Sequence, residues 1–169
     1  MLLFAPIQRF DYAVSTWCLC HRFNHYTARA SRLISRTGDG HLYLLVALLV
    51  MVADRPASFG FVKTGLTAFA IELPIYFLLK NLFKRNRPQR LPSFVQPSDR
   101  YSLPSGHTAA AFLMALLIVS FYPALGWLVW PWAALVGLSR VLLGVHFITD
   151  IVAGIALGLG AAFFALEVQ

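Results

Sequence analysis

In 139-SRVLLGVHFITD-150, His146 and Asp150 are four residues apart. At the start of a helix that spacing lets the carboxylate reach one imidazole nitrogen and fix the tautomer, leaving the other nitrogen free to act. Arg140, six residues earlier, offers a planar guanidinium suited to two-pronged contact with a phosphate. Taken alone, the pair also fits a satisfied structural His–Asp contact. A second stretch, 103-LPSGHTAAAF-112, puts Pro104, Ser105, Gly106 and His107 at the mouth of an apolar helix. The first turn of a helix exposes unpaired N–H groups and partial positive charge, which suits an anion. Gly106 permits close backbone approach, the Ser105 hydroxyl adds a donor, and His107 can give or take a proton. The bland alternative makes Ser105 a helix cap only.

A third stretch, 80-KNLFKRNRP-88, separates Lys80 from Arg87 by seven residues, two helical turns, so both point the same way if the helix continues to Asn86. Pro88 disfavours helix at the residue before it. Lys84, Arg85 and Arg90 thicken the charge. Ordinary basic residues touching lipid headgroups would look the same in isolation. What separates the readings is whether the three stretches meet.

The elements that would have to bring them together are membrane helices. The chain has 169 residues, 59% hydrophobic and 12% charged, outside the balance of a water-soluble domain. Its apolar runs, 40–53, 58–79, 105–122, 124–143 and 147–166, approach the roughly 20 residues that cross a hydrocarbon core and leave no room for a separate soluble domain. The expected fold is all-α: an integral membrane bundle of five to six helices in a single domain over 1–169, with 1–39 an N-terminal amphipathic or short membrane helix. Pro74 is expected to kink the second run. Lys63 and Glu72 within that run are expected to face other helices.

Counting crossings then assembles the site. The turn 121-FYPA-124 reverses the chain on one membrane face, so 80–101, Pro104–His107 and 140–150 share the other. The turn 35-SRTGDGH-41 falls on that same face, which puts Asp39 at the border of the pocket or simply in a tight polar turn.

The start MLLFAP is too short for a cleaved signal peptide, with Arg9 and Asp11 following at once. Farther on, Arg22, Arg29, Arg32 and Arg36 form one helical stripe and Phe23, Ala30 and Ile34 another, which reads as a basic amphipathic helix. The net charge of +7 suits anionic lipid surfaces, and no basic module for gripping nucleic acid is present. Cys18 and Cys20 read as small thiols in an apolar stretch rather than a disulfide framework; a metal site with His21 and His25 is the weaker alternative.

These motifs resemble the signature of the type 2 phosphatidic acid phosphatase (PAP2) superfamily: Lys80…Arg87-Pro88, then Pro104-Ser105-Gly106-His107, then Ser139-Arg140…His146…Asp150. The resemblance implies His146 as the nucleophile that forms a phosphohistidine, Asp150 as its orienting partner, and His107 as the acid that protonates the leaving oxygen and then activates water. It implies Lys80, Arg87, Ser105, Gly106 and Arg140 as the phosphoryl-binding set. No metal or other cofactor is required by this constellation. The implied substrate is a lipid phosphate or diphosphate, such as undecaprenyl diphosphate or phosphatidylglycerophosphate. The alternatives are a lipid A phosphate, or a lipid-binding or transport role without turnover. A vanadium-dependent haloperoxidase shares the pocket, but such proteins are typically larger and soluble. The charge balance of the loops would put the site in the cytoplasm. Several of those cations are accounted for by phosphate chemistry, however, and bacterial relatives commonly act from the periplasmic face of the inner membrane, the expectation adopted for this chain. Oligomeric state is not legible.

Overall fold

The computed structural model describes residues 5–97 and 99–168. The expectation for MLLFAP falls mostly on residues outside the described set. Every regular element among the described residues is helical: α1 (Ala5–Leu19), α2 (Asn24–Arg36), α3 (Gly40–Ala53), α4 (Arg55–Phe83), α5 (Gly106–Phe121), α6 (Gly126–Leu142) and α7 (Ile148–Glu167), with a short 3-10 turn at Pro123–Leu125. Each of the five apolar runs corresponds to one helix, α3 to α7. The N-terminal region adds two, because the chain breaks at residues 20–23.

Three segments are long and apolar enough to cross a membrane: α4, the 3-10 turn with α6, and α7. α2 and α3, bent by 43° where they meet, reach that length and apolarity only as a pair. α5 is shorter but equally apolar. Large apolar side chains point outward, with Val52, Phe59 and Trp127 exposed by 81%, 78% and 78%. Such a surface needs lipid rather than water. The chain is an integral membrane protein.

Lipid tails offer apolar helices no hydrophobic reason to associate, so small residues that permit close packing decide which helices touch. α5 and α7 form the closest pair. A Cβ placed on Gly158 would sit 2.1 Å from the Ala109 carbonyl oxygen, and one on Gly154 would sit 2.6 Å from that of Ser105. The two backbones therefore meet at a glycine one turn beyond Asp150 and again at the next turn. Around this contact Leu113, Leu117 and Val136 are buried.

α4 starts on Asp54, whose carboxylate accepts the Ala57 N–H at 3.3 Å, and runs for 29 residues through Pro74 without a break. It ends earlier than the Lys80–Arg87 spacing supposed: Lys84 adopts a left-handed conformation, φ 44°, and closes the helix at Phe83. Of Lys63 and Glu72, the two residues expected to face other helices, only one turns inward. Glu72 is buried, but Lys63 is exposed. Lys63 lies in the third turn of α4, where a long apolar stem can lie along the helix while its charged end stays outside the bundle.

α2 also differs from expectation. Its buried residues are Ala28, Ser31 and Ser35, while Phe23 and Ala30 face outward. Small side chains let α2 lie close on α6, and packing of this kind overrides a stripe chosen by hydrophobicity alone.

Candidate active site

The three motif segments meet at one end of the bundle. Lys80 comes from the last turn of α4, Arg87 from the loop after it, Ser105 to His107 from the start of α5, and Arg140 from the last turn of α6. His146 and Asp150 come from the approach to α7 and its first turn. The polar loop is tied in place. Ser102 donates its N–H to the Arg85 carbonyl at 2.8 Å, and Phe94 donates to that of Leu143 at 3.0 Å.

His146 is buried at 3% exposure. Arg87 Nη1 lies 3.4 Å from its Nε2 and donates to the Val145 carbonyl at 2.5 Å. A guanidinium can only donate, so Nε2 is the unprotonated nitrogen and its lone pair faces the site. The proton is then on Nδ1, which makes no hydrogen bond among the described residues and lies 3.6 Å from Asp150 Oδ2. Burial drives the His146 imidazole down to about 4, and Arg87 and Arg140 push the same way against the Asp150 charge. The ring is neutral at physiological pH.

Asp150 is wholly buried. One oxygen accepts the Phe147 N–H at 2.8 Å, satisfying a free donor at the start of α7. The other accepts from Arg85 Nη1 at 2.7 Å. Arg85 also binds Asp11 of α1 and lies over the Phe147 ring, 4.5 Å from its centroid.

Lys80 and Arg87 are brought together by a loop carboxylate rather than by a continuous helix. Lys80 Nζ and Arg87 Nη2 each lie 2.6 Å from an oxygen of Asp99. Tyr76 donates to Asp99 at 2.9 Å and accepts from Lys80. Burial alone would raise the Asp99 carboxyl; hydrogen bonds from Lys80, Arg87 and Tyr76 outweigh it and hold the carboxyl down at about 2.

His107 Nε2 lies 3.0 Å from Asp39 Oδ1, so the turn between α2 and α3 does border the site. Arg140 donates to the Ser35 hydroxyl at 2.6 Å, and its Nε is buried without a partner among the described residues. Ser105 lies beneath the surface: its N–H bonds the Asp150 carbonyl at 3.1 Å and its hydroxyl accepts from Thr108 at 2.9 Å. The absence of a side chain at Gly106 makes room for the Tyr76 ring, which a Cβ would approach to 3.0 Å.

Two cavities flank His107. A polar one of about 230 Å³ is lined by Arg32, Arg36, Asp39 and Arg140. An apolar groove of about 620 Å³ runs between α3, α4 and α5, past Tyr76, Phe69, Phe61 and Leu117, with Glu72 in its wall. The sequence reading missed Asp99, Asp11, Arg85 as a bridging residue, and the arginines of α2. Asp99 follows the basic cluster it neutralises by nine residues and Asp11 lies 74 residues from Arg85, and nothing in the spacing of either marks it.

A helical membrane bundle with clustered cations and two histidines at one end defines a class, and comparison with known proteins gives it a name. Residues 61–169 match the PAP2 superfamily, and the chain belongs to it. Phosphatidylglycerophosphatase B of Bacillus subtilis is 35% identical over 73% of this chain and 68% of its own length. An undecaprenyl-diphosphatase of Sulfolobus acidocaldarius is 28% identical over 80% and 68%. A lipid A 4'-phosphatase of Porphyromonas gingivalis is 37% identical over 53% of this chain, a match that spans only 42% of that relative. The crystal structure of a transmembrane PAP2-type phosphatidylglycerolphosphate phosphatase from Bacillus subtilis superposes with a TM-score of 0.79 at 25% identity, over 97% of this chain and 86% of that one. Aquifex aeolicus LpxE shares the fold at a TM-score of 0.81 and 21% identity, over 94% and 95% of the two chains.

Proposed function

We propose that this chain is a PAP2-type phosphatase that hydrolyses a lipid phosphate or diphosphate through a phosphohistidine. The observation behind this reading is the position of His146 Nε2, unprotonated and 3.4 Å from Arg87, at the end of the bundle where Lys80 and Arg140 also converge. The His146 lone pair attacks phosphorus as the P–O bond to the leaving group breaks. Lys80, Arg87 and Arg140 meet the charge on the transferring oxygens, and the N–H groups of Gly106 and His107 add fixed dipoles. His107 gives its proton to the departing oxygen. It then takes one from water, which attacks the phosphohistidine, releases phosphate and restores His146. Asp150 holds the Nδ1–H side of the ring, and closing the 3.6 Å gap to a hydrogen bond would accompany the positive charge that builds on the phosphorylated imidazole.

The apolar groove beside His107 supports a lipid substrate: a tail can stay at membrane depth while its headgroup reaches the cations. Undecaprenyl diphosphate and phosphatidylglycerophosphate are the substrates proposed first, in line with the relatives so named. A lipid A phosphate is the second reading, favoured by the relative from Porphyromonas gingivalis. The site is proposed to face the periplasm of a bacterial inner membrane. Labelling of Ser93→Cys, in a chain with Cys18 and Cys20 replaced by alanine, checks this; reaction only after the inner membrane is breached overturns it.

The deciding experiment is phosphate release by the purified protein in detergent, with EDTA present, from undecaprenyl diphosphate, phosphatidylglycerophosphate, phosphatidate and a lipid A phosphate. Release that His146→Ala abolishes is the expected result. Lipid binding by a folded protein that releases no phosphate from any of them would favour a binding role instead.

A further inference from the structure

Behind His146 lies a second layer of charge that the phosphate chemistry above leaves unused. Asp11, on α1, is 0% exposed. One of its oxygens accepts the Thr149 N–H at 3.2 Å; the other accepts the Thr149 hydroxyl at 2.6 Å and an Arg85 Nη2 hydrogen bond. Arg85 reaches past it, its Nη1 lying 2.6 Å from the Thr149 hydroxyl and 2.7 Å from Asp150 Oδ1. The result is a chain of contacts running Asp11, Arg85, Asp150, His146, assembled from α1, the loop after α4 and the start of α7. Asp11 lies outside the residues that match the family, 61–169.

Burying a carboxylate is expensive unless it is paired, and breaking a buried pair leaves the other charge stranded. A guanidinium beside Asp150 alone would draw its electron density away from His146 and weaken it as an acceptor for Nδ1–H. A second carboxylate on the far side of Arg85 restores that balance. Counted as formal charges, Asp11, Arg85 and Asp150 sum to one negative charge, which the positive phosphorylated imidazole of the proposed mechanism would neutralise. Without Asp11 the sum is zero and that intermediate is left uncompensated. Asp11 also holds the Thr149 N–H and hydroxyl, one residue from Asp150, and so fixes the turn from which the Asp150 carboxylate projects.

We infer that Asp11, acting through Arg85, is a positioning residue for the nucleophile: it keeps Asp150 anionic in character and aimed at His146, so that α1 completes the catalytic end of the bundle. This inference rests on the roles proposed for His146 and Asp150.

The test compares kcat and KM of Asp11→Asn and wild type in detergent, on whichever lipid phosphate the wild type hydrolyses best, with melting temperature measured in parallel. The substitution keeps shape and removes charge. Because the interaction is needed only as positive charge develops on the ring, kcat should fall about tenfold while KM changes by less than about twofold. Arg85→Lys keeps the cation but cannot bridge two carboxylates in the same way, and an intermediate kcat is expected. A wild-type kcat in Asp11→Asn overturns the inference. So does a loss of kcat that comes with a lowered melting temperature and a matching change in KM, which would make Asp11 a structural residue only. Should Asp11→Asn fail to fold, Thr149→Val decides: a kcat loss of about threefold at constant KM supports the inference, and wild-type kcat overturns it. His146→Ala separates the two levels, since activity retained there removes the phosphohistidine reading itself, whatever Asp11 does.

Discussion

Two arginine–carboxylate clusters face each other across His146, and they are built for opposite ends. In one, Arg85 binds Asp11 and Asp150, both wholly buried, and every partner comes from a packed helix or the turn beside it. In the other, Arg87 and Lys80 bind Asp99, whose side chain is 32% exposed on a loop. The ion pairs are similar in length. The difference is solvent access and tethering: the buried cluster has nothing to exchange with, whereas Asp99 occupies the cations that, in the proposed mechanism, an incoming phosphate would take over. Charge pairing alone therefore does not tell scaffold from binding site; replaceability of the anion does.

The sharpest way to break the comparison is to remove the group it surrounds. His146→Ala is expected to lower phosphate release by about a thousandfold or more, measured in a steady-state assay on the best lipid substrate. Lys80→Met, on the exchangeable side, should lower kcat/KM about a hundredfold, because a phosphate bound as proposed would lose one of its three cations. Asp11→Asn, on the buried side, should show the smaller tenfold loss in kcat described above. Asp99→Asn should act in the opposite sense. With the competing carboxylate neutralised, KM is expected to fall about threefold with kcat little changed, and a rise in KM would place Asp99 among the scaffold residues.

A pH profile sharpens the same contrast. In the proposed mechanism His146 must be neutral to attack, and burial holds it down at about 4. The acid limb of kcat/KM should therefore lie at about 4, with a separate fall on the alkaline side as His107 loses the proton it gives to the leaving oxygen, once the ionisation of the substrate's own phosphate is divided out. An acid limb near the ordinary histidine range, unaccounted for by the substrate, would show that His146 is better solvated than its surroundings indicate.

Much of this was legible in the residues. The apolar runs gave α3 to α7 because hydrophobic length in a membrane chain is constrained by bilayer thickness. Crossing parity then put Lys80, His107, Arg140 and His146 at one end before any contact was known. The turn at Asp39 was placed by the same count. What failed depended on packing or on partners distant in sequence. The Lys80–Arg87 spacing suggested one helix, but Lys84 ends it, and the two cations meet through Asp99 instead. α2 buries Ala28, Ser31 and Ser35 because its neighbour is another helix at close range, which a hydrophobic stripe cannot reveal. Asp11 and Arg85 are 74 residues apart and no local pattern joins them.

The glycine contact between α5 and α7 has a mechanical side. His107 rides on the first turn of one rod and His146 just ahead of the first turn of the other, and the rods are clamped where Gly154 and Gly158 meet the α5 backbone. The aperture between the histidines is thus set at a fulcrum deeper in the bilayer, like the jaws of tweezers at their hinge. A methyl group added at Gly158 would act as a shim there, spreading the jaws where phosphorus has to fit while touching none of the residues that hold it.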